Sequence, residues 1–270
     1  LEFRRVLFRS LHHNLFVQLR TMEEAMRELF NKTTQMFVER SAIHDLCSKQ
    51  IGEYIARKGW IRPTDSVMDF GCGIGSFSFT LYLQAPFASC LGVDSSDKMI
   101  QSFDHFSQEK GLSDVFQSEC VFLDKPNMLH DRQFDVIISL KAFHHIPDPL
   151  PCIRVLKSYL KPNGRLIIAD LMLDDHSPQY HRSISEPPCC HGFSCDDLST
   201  MLTDAGLKAD VGQVDVVHYL TCLDQNEAKS RFESLHLPPC DILETEESRL
   251  PPMIRLNDCY YERDVFPFVV

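Results

Sequence analysis

No stretch of the 270 residues approaches the roughly 18–20 apolar residues that span a bilayer; the longest runs, such as Val136–Leu140 and Leu166–Ala169, are strand-sized. Positive charge is also short. Against 38 Asp and Glu stand 27 Lys and Arg, a formal net charge of −11. The broad basic face that neutralises phosphates is therefore not expected, nor is a nucleic-acid partner. None of the 11 cysteines lies in a Cys-x-x-Cys pair, and no secretory signal with its cleavage site is evident, so they read as reduced thiols. Cys189, Cys190, His191 and Cys195 crowd together but lack the second tight pair of a zinc site, so a cysteine-rich loop and no metal are expected. There is no internal repeat.

The chain opens on an Arg-rich string without a helix cap, Leu1–Ser10, that reads as foreign; Met22 is a plausible native start. Residues 1–21 are accordingly expected to be a non-native or targeting segment. The targeting alternative is a mitochondrial presequence, since Arg4, Arg5, Arg9 and Arg20 face only Glu2. Otherwise a cytoplasmic protein is expected.

What is present is an alternation. Helical spacing marks Glu23–Phe30 and Ala42–Arg57, the latter with the stripe Ile43, Leu46, Cys47, Ile51, Tyr54 and Ile55. Strands are expected at Ser66–Phe70, Ser89–Val93, Cys120–Leu123, Phe134–Ser139 and Gly164–Asp170, with helices at Ser76–Gln84, Ser96–Glu109 and Leu150–Leu160 between them. The strands are continuously apolar, which marks a parallel sheet covered on both faces. A helix at Cys195–Ala205 and strands at Lys208–His218 and Val265–Val270 follow. Between the last two, Cys222–Tyr260 is rich in charge and proline and reads as an insertion, helical around Gln225–Leu235 and otherwise irregular.

Chemistry concentrates after the first strand, in Asp69-Phe70-Gly71-Cys72-Gly73-Ile74-Gly75-Ser76. Glycine is needed where the backbone turns sharply and lies flat against a ligand, and the helix behind it offers free N–H groups. The spacing Gly71, Gly73, Gly75 differs from the Gly-x-Gly-x-x-Gly of dinucleotide sites. Asp69 suits a ligand's ammonium group better than a phosphate. Asp94, ending the second strand, is placed to take both hydroxyls of a ribose.

Four further strings follow in order: Leu91–Ile100, with Asp94, Ser95 and Met99; Val121-Phe122-Leu123-Asp124, before Lys125; Phe134–Ser139 and Leu140 with Phe143-His144-His145-Ile146-Pro147-Asp148; and Leu160–Asp170, with the turn Lys161-Pro162-Asn163-Gly164. With the glycine string they resemble class I S-adenosylmethionine-dependent methyltransferases, and most nearly the small-molecule, ubiquinone-biosynthesis-like group. The resemblance runs from about Ser41 to Leu220, with Asn163 where the family has a glycine. It implies an α/β, Rossmann-like, doubly wound sheet of seven strands, mostly parallel with a reversed terminal strand and helices on both faces. It implies S-adenosylmethionine as cofactor, with Asp124 at the adenine amino group, Met99 either stacked on the adenine or packed in its helix, and Cys72 a small filler against the cofactor. Asp69, Gly71, Gly73, Gly75, Asp94, Ser95, Lys125, Ser139 and Leu140 complete the expected binding set.

His144 and His145 fall just past the fourth strand, where methyl donor and acceptor should meet. A histidine there serves as base if the acceptor is an O–H or N–H, with His144 the first choice; the other reading is that one ring merely orders the loop. Methyl transfer to a small-molecule acceptor by in-line displacement is the expected function, in one domain spanning 22–270. Acceptor-side additions are expected near 22–60, 171–193 and 222–260. Leu171–Phe193, with Tyr180, His181, Pro187, Pro188 and His191, is expected to close over the site. A noncatalytic partner protein of the same fold is the alternative, prompted by Lys141, a cation beside the expected sulfonium position.

Overall fold

The computed structural model describes residues 23–39, 41–173, 190–216, 219–221, 241–243, 253–255 and 265–269. Tyr180, His181, Pro187, Pro188, Cys189 and the helix expected around Gln225–Leu235 lie outside them. Helices α1 (residues 23–39) and α2 (Ser41–Lys58) precede β1 (Ser66–Phe70), α3 (Ser76–Gln84), β2 (Ser89–Asp94), α4 (Asp97–Glu109), β3 (Phe116–Cys120) and β4 (Phe134–Leu140). A short 3-10 turn, Phe143–His145, leads to α5 (Pro149–Ser158) and β5 (Leu160–Ala169). Then come α6 (Cys195–Asp204), β6 (Gly212–Asp215), β7 (Tyr219–Thr221), β8 (Asp241–Leu243), β9 (Met253–Arg255) and β10 (Val265–Val269).

Seven strands form the main sheet in the order β3-β2-β1-β4-β5-β10-β6. The first five pair in parallel, and β10 runs antiparallel to both its neighbours. Their continuous apolarity has a simple cause, because successive residues feed opposite layers. Val67, Val136, Ile138, Ile167 and Ala169 pack with α2, α3 and α4. Met68, Ile137, Leu166 and Ile168 pack with α5 and α6. A strand buried on both sides has no polar face to alternate with. The chain winds outward from β1 to β3 and returns to β4, so β1 and β4 flank the point where strand order reverses, the usual place for a ligand in such sheets.

Three expectations need correction. The third strand is Phe116–Cys120, not Cys120–Leu123. As the edge of the sheet it has one neighbour and a mixed surface, so its polar sequence hid it. The apolar Val121–Leu123 is instead the chain turning in beside Asp94, with the Val121 N–H on the Asp94 carbonyl at 2.8 Å. Of the strand expected over Lys208–His218, the described residues form strand at Gly212–Asp215 and not at 208–211. Finally, the 222–260 stretch contains β8 and β9, which form a separate antiparallel sheet with β7. Each of these strands is only three residues long, too short to show a period. The turn expected at Lys161–Gly164 lies inside β5, where the register against β4 shifts, and there Asn163 adopts φ 65°, which asparagine tolerates better than other non-glycine residues. No described helix is long and apolar enough to cross a membrane.

Candidate functional site

The glycine string forms a loop stitched to the end of β2. Gly71 and Cys72 donate to the Val93 carbonyl at 2.8 and 3.1 Å, and Gly73 donates to Asp94 Oδ2 at 3.0 Å. Gly71 has φ 70°, and a Cβ there would stand 2.6 Å from the Ala142 Cβ. This glycine therefore lets the loop after β1 touch the loop after β4. Gly73 also lies in the left-handed region at φ 53°, but an added Cβ would meet nothing within 4 Å. The top of the loop is open, as a surface that receives a ligand must be. Gly75 rests on Phe79 and Phe103, part of an aromatic cluster with Phe116 that seats the loop on α3 and α4.

Asp69 and Cys72 lie beneath this loop. Asp69 is 1% exposed and its carboxylate accepts from Ser78 Oγ on α3. Burial, opposed by Ser78 and helped by the charge of Asp94, raises its pKa to about 7. Burial likewise pushes the Cys72 thiol well up, which disfavours a nucleophilic thiolate and suits a small filler.

Asp94 joins two turns: its Oδ1 accepts from the Ser96 N–H at 2.9 Å while Oδ2 holds Gly73. Burial raises its pKa against the backbone N–H groups that oppose it. Ser96 caps α4 by accepting from the Met99 N–H. Met99 itself is 1% exposed. The Ser95 carbonyl accepts from Arg27 of α1. Asp124 and Lys125 are exposed on the loop that leaves β3.

On the other side of the switch point, Ser139 donates to the Phe70 carbonyl at 2.8 Å, and Leu140 packs on the α3 layer. Lys141 turns the chain with φ 55°, its N–H on the Ala169 carbonyl. His144 is 5% exposed and its Nδ1 lies 2.6 Å from Asp170 Oδ1. Asp170, itself fully buried, also accepts from the N–H groups of Phe143, His144 and Leu171. Burial alone would raise the Asp170 carboxyl, but the His144 ring and these donors together hold it below its ordinary value. His145 is only half-buried. Its ring lies 4.1 Å from that of His144 and meets Phe30 of α1 edge-on at 5.1 Å. The Cys190 N–H reaches the His144 carbonyl at 3.0 Å, which places Cys190 beside this loop, and the Leu173 N–H reaches the Phe193 carbonyl at 3.0 Å.

The glycine loop, Asp94, Ser95, Ser139, Leu140 and the two histidines thus gather at one edge of the sheet, with Asp69, Cys72 and Met99 packed below. Asp170, Phe30 and Asn31 are missing from the sequence-based set. Asp170 ends an apolar strand and gives no local sign that it meets His144. Among the described residues no three His, Cys, Asp or Glu side chains form a metal-ligand group. Backbone N–H groups, an open left-handed glycine and a carboxylate at the next strand end fit an adenosine-bearing cofactor.

A family model described as a methyltransferase domain matches residues 61–206, more than half of the chain. The chain belongs to the methyltransferase-domain family, and S-adenosylmethionine is its cofactor. Ubiquinone biosynthesis O-methyltransferase of Histophilus somni is 31% identical over 131 residues, 48% of this chain and 54% of the relative. 27-O-demethylrifamycin SV methyltransferase of Amycolatopsis mediterranei is 27% identical over 206 residues, 73% of each chain. The chain spans about half the length of several curated relatives it matches. Among solved structures, a chain of the complex between the Haloferax volcanii Trm112 methyltransferase activator and a methyltransferase shares the fold. Its TM-score is 0.63 at 20% identity, covering 89% of this chain and 96% of that one.

Proposed function

We propose that this protein transfers the methyl group of S-adenosylmethionine to a small-molecule acceptor. One observation carries the reading: Asp94 grips the Gly73 N–H while Gly71 abuts Ala142, so the loops suited to the cofactor meet the loop bearing His144 and His145. The cofactor, when bound, supplies a methyl group already activated by its sulfonium. The chain's own residues bind, align and exclude water. Asp94, Ser95, Asp124 and Lys125 hold the adenosine end, with Met99 supporting it from below; Asp69, Gly71, Cys72, Gly73, Gly75, Ser139 and Leu140 form or support the remainder.

Two relatives are named for methylation at oxygen, which puts a hydroxyl-bearing small molecule first. For such an acceptor a ring nitrogen of His145 is the group that takes the proton, because His145 keeps some exposure while His144 is buried against Asp170. His144 then fixes the loop and packs beside it, its ring tilted 42° from that of His145. The contact of Phe30 with His145 supports an acceptor wall built partly from residues 22–60, with 171–193 and 222–260 as its other contributors in a single domain. The test is incubation with a labelled methyl donor and a fractionated metabolite extract. Label is expected in a low-molecular-weight product, and His145→Ala is expected to lower the rate of an O–H acceptor about 100-fold. Label confined to protein or nucleic acid would overturn the small-molecule reading.

A further inference from the structure

Helix α1 differs from every other helix of the domain in how it is attached. Thr34 is its one buried side chain among the described residues, whereas α2 buries Cys47, Ile51 and Ile55. Its own pairs, Glu23 with Arg27 and Glu28 with Lys32, lie four residues apart along the helix. They support the helix without docking it. Much of the docking is polar, and it centres on Asn31. Asn31 Oδ1 accepts from Ser96 Oγ at 2.6 Å and from the Lys98 N–H at 3.3 Å; Asn31 Nδ2 donates to Asp97 Oδ1 at 2.8 Å. Arg27 adds a bond to the Ser95 carbonyl at 3.2 Å.

Every one of these partners belongs to the turn that follows Asp94 or to the first turn of α4. Ser96 is fully buried and, besides the bond its carbonyl accepts from Ile100, makes three bonds at once. Its N–H goes to Asp94 Oδ1, its Oγ accepts from Met99, and that same hydroxyl gives its proton to Asn31. Rotation of the Ser96 side chain would give up the α4 cap, so Asn31 fixes Ser96, and Ser96 fixes the direction in which Asp94 presents its carboxylate. We infer that Asn31 is a positioning residue of the cofactor site, acting through Ser96 on Asp94, and that α1 thereby forms part of the cofactor-binding apparatus. This rests on the reading that Asp94 takes the ribose hydroxyls.

The test is calorimetric titration of the full chain with S-adenosylhomocysteine, for wild type, Asn31→Ala, Asp94→Ala and the double variant. A 2′-deoxyadenosyl analogue is titrated into wild type and Asn31→Ala. Asn31→Ala is expected to weaken S-adenosylhomocysteine about tenfold, the size of one well-placed hydrogen bond, with the melting temperature held within about 2 °C. The double variant should be no weaker than Asp94→Ala, since the two changes act on one contact. The 2′-deoxy analogue, having lost part of that contact, should feel Asn31→Ala less than the parent ligand does. Additive losses, or equal losses for both ligands, would reduce Asn31 to a structural cap and overturn the inference. So would an Asn31→Ala affinity within twofold of wild type beside a weakened Asp94→Ala. An Asp94→Ala affinity equal to wild type would instead remove the ribose reading and the inference with it.

Discussion

Two carboxylates stand at the carboxyl edge of the sheet, Asp94 at the end of β2 and Asp170 just after β5, and both accept backbone N–H groups. Their remaining capacity differs. A carboxylate offers about four acceptor positions. Asp170 receives the N–H groups of Phe143, His144 and Leu171 and lies against His144 Nδ1. Asp94 receives Gly73 and Ser96 from the backbone, with the Ser95 N–H also drawn toward it, and keeps part of its surface open. Their pKa values move oppositely: burial wins at Asp94, while at Asp170 it is outweighed by the His144 ring and the donors. Asp170 is thus a finished internal knot, and Asp94 a partly filled acceptor suited to a ligand's hydroxyls. Equal position in a fold does not mean equal role; spare hydrogen-bonding capacity separates them.

The largest effect should come from the knot. Asp170→Asn keeps the shape but sets an NH2 group against N–H donors, and is expected to lower the unfolding free energy by about 2–4 kcal/mol. Urea denaturation checks this, and a loss below about 0.5 kcal/mol, the scale of an ordinary surface change, would erase the distinction. Next comes Asp94→Ala, expected to weaken S-adenosylhomocysteine binding by about 1–3 kcal/mol while destabilising the unliganded chain less than Asp170→Asn does. If its main effect were on unfolding, Asp94 would join Asp170 as a structural group.

The same contrast separates what the sequence made legible from what it hid. The cofactor edge depends on backbone conformation. Left-handed turns at Gly71, Gly73 and Gly75 demand a residue type at a fixed spacing, and an acid at a strand end is visible locally. The five parallel strands announced themselves because both faces are buried, except β3, whose edge position gives it polar residues. The other edge depends on side chains meeting across the chain. His144 and Asp170 are 26 residues apart, Asn31 and Ser96 65 apart, and no periodicity or motif carries such a pairing. His144 was the first choice as base from its position alone; only its burial against Asp170 turns attention to His145.

A third carboxylate, Asp69, sharpens the comparison through pH. Its carboxylate accepts from Ser78 Oγ, and burial, the dominant cause, lifts its pKa from 3.8 to about 7. Between those values the folded chain holds a proton that the unfolded chain has released. Stability contributed by Asp69 is therefore full below about pH 4 and is lost as pH rises toward 7. Relative to Asp69→Asn, wild type should lose about 1–2 kcal/mol between pH 5 and 7, read from urea curves of both proteins. A difference that stays flat, or grows in favour of wild type, would show that Asp69 ionises easily in place and that burial does not dominate there.

The smallest effect is expected at the opposite edge, where Asp135 near the start of β4 accepts from the Ser66 N–H and hydroxyl at 2.8 Å and from Lys161 at 2.7 Å. Burial pushes its carboxyl up, but Lys161 and Ser66 together outweigh it and hold it down at about 2. The sign is the reverse of that at Asp69: stability from Asp135 is present above the ordinary carboxylate range and is lost as pH falls through about 2. The pair is partly exposed, with side chains 41% and 32% accessible for Lys161 and Asp135, so solvent screens it. Lys161→Met should cost about 0.2–1 kcal/mol at neutral pH and less as pH drops below about 4. Because β4 carries Asp135 at one end and Ser139 near the other, this loss should leave S-adenosylhomocysteine affinity unchanged. A Lys161→Met protein with weakened cofactor binding would mean that the two edges communicate through the strands, and that Asp94 owes its readiness to more than the turn that holds it.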